Sequence, residues 1–304
     1  MTVHLNNSEP LVSIITVNYN TSKDVCDLIT SIKKNNYKNT EIIVVDNNSR
    51  KNNPSIISAQ HPDVQLIRSL KNLGFAGGNN LGVKHATGEY ILFINSDALL
   101  TDGCIQTLIA TFTEFSDVGM VSPKFHFYNE PDKLDYAGCR KVNCLTGRGA
   151  LIGHGEIDNG QYDIPKDTGY CHGGGVLVKK SILDDLGPMP EVYFLYYEEL
   201  EWSENIKKSG YRVFYQPKAL IYHKVSKSIG QFSTLKTYYL TRNRILFMRR
   251  NRKFFNLFIF SLYFGMISIP KNLFMYLIKG RYNHMKYFML GVLWNIGYKK
   301  ELKF

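Results

Sequence analysis

Four groups of residues in this 304-residue chain could do chemistry. The apolar run EIIVVD (41–46) ends on Asp46, where a carboxylate can accept hydrogen bonds from a nucleobase or ribose. The plain alternative is an aspartate capping its own turn. Gly74, Gly77 and Gly78 permit tight turns near a ligand, and Asn79 or Asn80 then opens a helix whose free N–H groups suit a phosphate. Their spacing is not G-x-G-x-x-G and no Walker A sequence occurs, so shaping a loop is the competing role. Glu198, Glu199 and Glu201 crowd the first turns of a predicted helix over 196–209. Their mutual repulsion raises at least one pKa, which suits a general base, although acids at a helix start also complement its dipole. His223 closes a predicted strand over 211–223; a single histidine is more often structural than a ligand.

The elements that must position these groups alternate. Short β-branched runs predict buried strands over 11–17, 41–46, 64–69 and 90–94, with helices over about 23–35 and 79–86 between them. That order implies βαβ units and a mostly parallel sheet, whose ligands bind beyond the carboxyl ends of the strands. The loops there are 18–21, 46–49, 72–78 and 95–97. Region 120–175, rich in Gly, Tyr and His, resists assignment, and 173–179 ends in another strand.

Five blocks stand in order: VSIITVNYN (12–20), IIVVDNNS (42–49), NLGFAGGNN (72–80), FINSD (93–97), and FLYYEELEW (194–202) with YHK (222–224). Over about residues 12–250 they resemble a family-2 inverting glycosyltransferase of the GT-A type, in its bacterial rhamnosyltransferase-like branch. The resemblance implies an α/β GT-A (Rossmann-like) fold, a mostly parallel sheet flanked by helices. Residues 1–230 would form the catalytic domain, with a nucleotide-sugar half over about 10–100 and an acceptor half over about 101–230. It implies a nucleotide site of Val17, Tyr19, Asp46, Asn48, Asn72, Gly74, Gly77, Asn79, Asn80, Asn95 and Ser96. It implies that Asp97 and His223 ligate a divalent Mg or Mn ion, and that Glu199, with Glu198 beside it, is the catalytic base. His172, Gly173, Gly174 and Trp202 would face the acceptor. The donor so implied is a dTDP-sugar such as dTDP-rhamnose, with UDP-galactofuranose or another UDP-hexose as the alternative, and the acceptor is a lipid-linked or cell-surface saccharide.

Two positions depart from the pattern. Asn95 stands where the family's D-x-D motif begins, which leaves the metal mainly to Asp97. Glu199 stands where Asp is usual and reaches one methylene farther, so the choice between Glu198 and Glu199 stays open. A membrane-attached scaffold that binds nucleotide-sugar without turnover is therefore a second reading. A nucleotidyltransferase would need a basic phosphate loop that VNYNTS (17–22) does not supply. His172-Gly173-Gly174-Gly175 resembles a lipase oxyanion segment, but no G-x-S-x-G nucleophile turn exists.

Charge divides the chain. Sixteen of the 37 basic side chains and one of the 26 acidic ones lie in 224–304, so that stretch carries +15 and the rest −4. Residues 231–304 read as a helical, basic and apolar tail, with FFNLFIFSLYFGMISIPKNLFMYL (254–277) flanked by Arg and Lys. Interleaved aromatics suit an anionic membrane surface rather than nucleic acid. Five irregularly spaced cysteines and a polar N-terminus predict a cytoplasmic enzyme, peripheral at the inner face of the membrane.

Overall fold

The computed structural model describes residues 9–225 and 233–298. In chain order the elements are β1 (Val12–Asn18), α1 (Ser22–Lys34), β2 (Thr40–Asp46), α2 (Ser55–Gln60), β3 (Gln65–Arg68), α3 (Gly74–Val83), β4 (Tyr90–Ile94), β5 (Ala98–Leu100) and α4 (Cys104–Glu114). Then come β6 (Val118–Phe127), β7 (Glu130–Tyr136), β8 (Cys139–Arg140), β9 (Ala150–Leu151), β10 (Lys166–Asp167), β11 (Gly175–Lys179), α5 (Lys180–Leu186), α6 (Glu198–Lys208) and β12 (Arg212–His223). The chain closes with α7 (Thr234–Asn251), α8 (Phe254–Tyr263), α9 (Ile269–Ile278) and α10 (Tyr282–Gly297).

One mixed sheet runs β10-β12-β6-β11-β4-β1-β2-β3, with β5 on β12 and β7 on β6. The half built from β1, β2, β3 and β4 is parallel, as the buried β-branched runs predict. β11 then enters antiparallel between β4 and β6, while β6 and β12 run parallel to each other. That inversion matters for the site. The carboxyl ends of β1, β2 and β4 and of β12 lie on one edge, and β11 starts there, because Gly175 pairs with Ile94. Region 120–175, unassigned from sequence, supplies β6, β7 and the small β8–β9 hairpin.

α3 corrects one expectation. It opens at Gly74 instead of Asn79 or Asn80, so the glycines form its first turns. Gly74 has φ +73° and no room for a Cβ, which would meet the carbonyl of Phe194. Farther along, a Cβ on Gly82 would lie 2.5 Å from Ile15 Cγ2 of the central strand. These small residues let α3 lie against β1.

The tail is not a separate body. Leu246, Phe247, Met248, Phe260, Phe264 and Phe288 belong to the same buried cluster as Ile14, Leu92 and Phe125. The boundary expected at 230/231 lies outside the described residues. α8, a π-type turn over Phe264–Ser268, and α9 join into one apolar helix, Phe254–Ile278, of 25 residues, within which an 18-residue stretch has mean hydropathy 1.4 and is only 17% buried.

Gly82→Ala should overpack this contact and destabilise the fold by about 1–3 kcal/mol. A thermal melt should show a lower Tm; an unchanged Tm would mean that α3 is free to shift away from β1.

Candidate active site

The strand-end loops are tied to one another by hydrogen bonds. Asn18, fully buried, donates from Nδ2 to Asp46 Oδ1 at 2.8 Å and to Ser49 Oγ at 3.3 Å, joining the first loop to the second. Asn47 donates to Asn72 Oδ1 at 3.0 Å and to the Gly74 carbonyl at 2.9 Å, and accepts from the Leu73 N–H at 2.8 Å, joining the second to the third. Thr21 Oγ1 donates to Ser96 Oγ at 3.0 Å. The Asn95 N–H donates to the Gly174 carbonyl at 3.0 Å, and the Phe75 N–H to the Phe194 carbonyl at 2.7 Å. The Asp46, glycine, Asn95–Asp97, His172–Gly174 and Glu198–Glu199 segments are thus linked along one edge. Asn18, Thr21 and Asn47 were not singled out from sequence, although all three lie in or beside the blocks VNYN and DNNS.

Within this ring Asp46 is buried, Asn48 holds a left-handed φ of 61°, Tyr19 stands exposed and Val17 packs under Gly78. Asn72 caps the start of α3, where its Oδ1 accepts from the Gly74 N–H at 2.9 Å. Asn79 and Asn80 are a correction. They lie in the body of α3, not at its open end. Asn79 Nδ2 donates to the Phe75 carbonyl, and the Asn80 amide is taken up by Met189 and Glu191. Gly77 also sits in the helix, beside Leu73 and Glu191.

His223 ends β12 opposite Ala98 of β5, which sets it beside Asp97. Its Nε2 lies 3.2 Å from Asp97 Oδ1, and its Nδ1 lies 2.7 Å from Asp135 Oδ2. Burial opposes a charge on His223, but the two carboxylates outweigh it and raise its pKa to about 9. This arrangement fits a divalent cation. An imidazole whose Nδ1 is held by a carboxylate presents Nε2 in a fixed direction beside a second carboxylate. No group of three His, Cys, Asp or Glu stands ready among the described residues, so the cation would take its other ligands from phosphate and water. Asp135, in β7, gave no signal in the sequence.

His172 packs between Phe125 and Tyr136, with ring centroids 5.2 and 5.3 Å away, and 6.2 Å from His223. Its Nδ1 accepts from the Gly174 N–H at 3.1 Å. Burial and the nearby His223 depress its pKa to about 4, which keeps the ring neutral. Trp202, expected at the acceptor, is buried and packs edge-on against Phe93 with centroids 5.4 Å apart; it is a core residue.

The three glutamates separate by environment. Glu201 is gripped by Arg250 at 2.7–3.0 Å and also accepts from Asn251 and Tyr193, so despite burial its pKa falls. Glu198 and Glu199 have no such partner, and Oε2 of each is buried without a hydrogen bond. Burial, more than the crowding expected from sequence, lifts both, with Glu199 adding to the shift on Glu198; Glu199 reaches about 7. A carboxylate of that basicity, one oxygen uncommitted, can take a proton from a hydroxyl near neutral pH.

The family description Glycosyl transferase family 2 matches residues 13–187. Among curated relatives, the low-salt glycan biosynthesis hexosyltransferase Agl10 of Haloferax volcanii is 27% identical over 209 residues, 66% of this chain and 63% of that one. The glycosyltransferase GlyG of Streptococcus pneumoniae is 33% identical over 125 residues, 40% of this chain and 41% of that one. The chain thus spans less than two thirds of the length of either. The N-acetylglucosaminyl-diphospho-decaprenol L-rhamnosyltransferase of Mycobacterium tuberculosis is 20% identical over 243 residues, 73% of this chain and 78% of that one. In fold, the chain resembles the mannosyltransferase PcManGT from Pyrobaculum calidifontis, solved with GDP-Man and Mn2+, at TM-score 0.58 and 18% identity over 97% of this chain and 89% of that one.

A pH dependence follows from the raised carboxyls. The folded chain holds these protons more tightly than the unfolded one, so their effect is harmless below the ordinary value of 4.5 and costs stability as the pH rises through about 7. Glu199→Gln, which cannot ionise, should melt above wild type at pH 8, by about 2–4 °C per kcal/mol recovered, and the gap should narrow at pH 5. A variant melting at or below wild type at pH 8 would contradict the assigned shift.

Proposed function

This chain belongs to glycosyl transferase family 2, and from that premise we propose that it is an inverting glycosyltransferase that moves a rhamnose-like sugar from a nucleoside-diphosphate donor to a lipid-linked or cell-surface saccharide. One observation carries the reading. Of three clustered glutamates, the ion-paired one is Glu201, while Glu199 is left basic and with an oxygen uncommitted.

Asp46, backed by Asn18, takes the nucleoside. Asp97 and His223 would hold the cation, with Asp135 fixing the histidine ring. A bound divalent cation supplies Lewis-acid stabilisation to a departing diphosphate. Glu199 accepts the proton of the acceptor hydroxyl as its oxygen attacks the anomeric carbon from the face opposite the leaving group. His172–Gly174 lies beside Asn95 and borders the acceptor. The mycobacterial relative's name supports a lipid-diphosphate-linked acceptor, and the Pyrobaculum neighbour supports Mn2+. A UDP-hexose donor is the second reading, favoured by a fold neighbour, GalNAc-T7, solved with UDP, GalNAc and Mn2+.

The apolar helix Phe254–Ile278 supports a place on a membrane. Phe254, Phe255, Met266, Ile267, Phe274 and Ile278 are exposed along it. At 1.5 Å per residue it measures about 37 Å, long enough to cross, and its flanking cations also suit an interfacial position at the cytoplasmic face. Not all of the tail's charge is available for lipid. Arg250 and Arg252 pair with Glu201 and Glu204, and Arg242, Arg244 and Arg249 donate to protein carbonyls. The outward set includes Lys253, Lys271 and Lys279, each near a surface worth roughly 1 kcal/mol.

With a saccharide acceptor and Mn2+, Asp97→Asn should lose cation-dependent donor binding in calorimetry. Glu199→Gln should bind donor as wild type does but transfer at least about 100-fold more slowly. Transfer by Glu199→Gln at the wild-type rate would remove the proposed base. Replacing Phe254, Phe258 and Ile267 together by Ser should cut co-sedimentation with phosphatidylglycerol vesicles severalfold; unchanged binding would remove the membrane assignment.

A further inference from the structure

The segment that delivers Glu198 and Glu199 is held in an unfavourable shape. Phe194, Tyr196 and Tyr197 all take left-handed φ, at 65°, 67° and 76°. Aromatic residues rarely adopt that conformation, and a run of them persists only where the surroundings fix it.

The fixing comes from α7. Asn243, which is 0% exposed, shares its Nδ2 hydrogens among the carbonyls of Tyr193 at 3.0 Å, Leu195 at 2.7 Å and Tyr196 at 2.8 Å. Arg242 donates from Nη2 to the carbonyls of Val192 at 2.7 Å and Tyr193 at 2.6 Å. The two side chains brace each other, because Arg242 Nε donates to Asn243 Oδ1 at 2.7 Å. The guanidinium lies against Tyr239 and Trp294, 4.8 and 4.6 Å from the ring centres, so it cannot swing away. On its other side the segment meets the nucleotide half, where Phe194 accepts from Phe75 at the start of α3. Phe194 also stacks on Tyr239 of α7 at 5.1 Å.

We propose that Asn243 and Arg242 are positioning residues for transfer, a carbonyl clamp that sets the backbone of 192–197 so that α6 presents its first two carboxyls to the acceptor. This rests on Glu199 as the base. The alternative is that the pair only anchors the tail to the catalytic body. An anchor would need no more than one or two such bonds at any point along α7. Here every polar hydrogen of the Asn243 amide goes to the strained segment ahead of the glutamates.

The groups facing the carboxyl pair are Arg242, Tyr196 and Glu199 around Glu198, and Tyr170, Tyr196, Tyr197 and Cys139 around Glu199. Backbone hydrogen bonds from Tyr196 and Glu198 reach the Glu198 carboxyl and those from Tyr197 and Glu199 the Glu199 carboxyl, but Oε2 of each has no partner, and burial outweighs those bonds to keep the pair basic.

The test uses the full chain with Mn2+, a transferable nucleotide-sugar and a saccharide acceptor. Asn243→Ala should lower kcat about 100-fold, as a displaced catalytic group does, while nucleotide Kd stays within about twofold. The acidic limb of kcat against pH should move down as water reaches the loosened carboxyls. Arg242→Lys keeps the charge but loses the planar fork, and should show the same pattern at about tenfold; it decides the matter if Asn243→Ala does not fold. Wild-type kcat and an unmoved pH limb in the folded variants, with Glu199→Gln inactive, would overturn the clamp alone. An active Glu199→Gln would instead overturn the base on which it rests.

Discussion

A polar edge built from strand-end loops can be stable only if its buried amides and carbonyls find partners, and here they find them in the neighbouring loop. Asn18 bridges to Asp46, Asn47 to Asn72 and Gly74, Thr21 to Ser96, and the Asn95 and Phe75 amides to the Gly174 and Phe194 carbonyls. Each buried group left unpaired would cost about 1–3 kcal/mol, so no loop can shift far without its neighbour following. Positioning of the residues proposed to bind nucleotide, cation and acceptor is therefore one collective property. The antiparallel entry of β11 between β4 and β6 is what allows the His172–Gly174 turn to join that edge.

Against this satisfied background the carboxyl pair stands out. Burying Oε2 of Glu198 and of Glu199 without a partner is unfavourable, while a few residues on, Glu201 is matched by a bidentate arginine, an asparagine and a tyrosine. The same helix turn thus holds one neutralised carboxylate and two that are not, and the penalty falls on the carboxyls proposed to take up a proton. A strained backbone carries the pair, and α7 holds that backbone. The basic tail accordingly has two roles in one helix run: Arg242, Arg244, Arg250 and Arg252 of α7 and its end face the catalytic body, and the apolar length that follows faces outward.

The sequence made the parallel half legible, because Ile and Val runs such as 42–45 signal buried strands whatever lies around them. Asp46 and His223 each end a strand, and Asp97 lies in the turn before β5; the ligand pairing of Asp97 and His223 came from the family resemblance, and the fold sets the two side by side. The start of α3 was not legible, since glycines argue against helix by propensity while the close approach to β1 and Phe194 demands them. Trp202 was not legible because residues three apart on a helix share a face, and only the fold shows it buried against Phe93. Asp135 and Asn243 were invisible. Their partners lie 88 and about 50 residues away in sequence, and only the fold brings them together.

Direct displacement at the anomeric carbon, with Glu199 drawing the proton from the incoming hydroxyl, is the reaction proposed for this edge. Proton NMR of the first product formed, read at the anomeric position against the donor's own configuration, tests this most directly. Inverted configuration is the predicted result. Retained configuration would contradict a single displacement and with it the role given to the buried carboxyl pair.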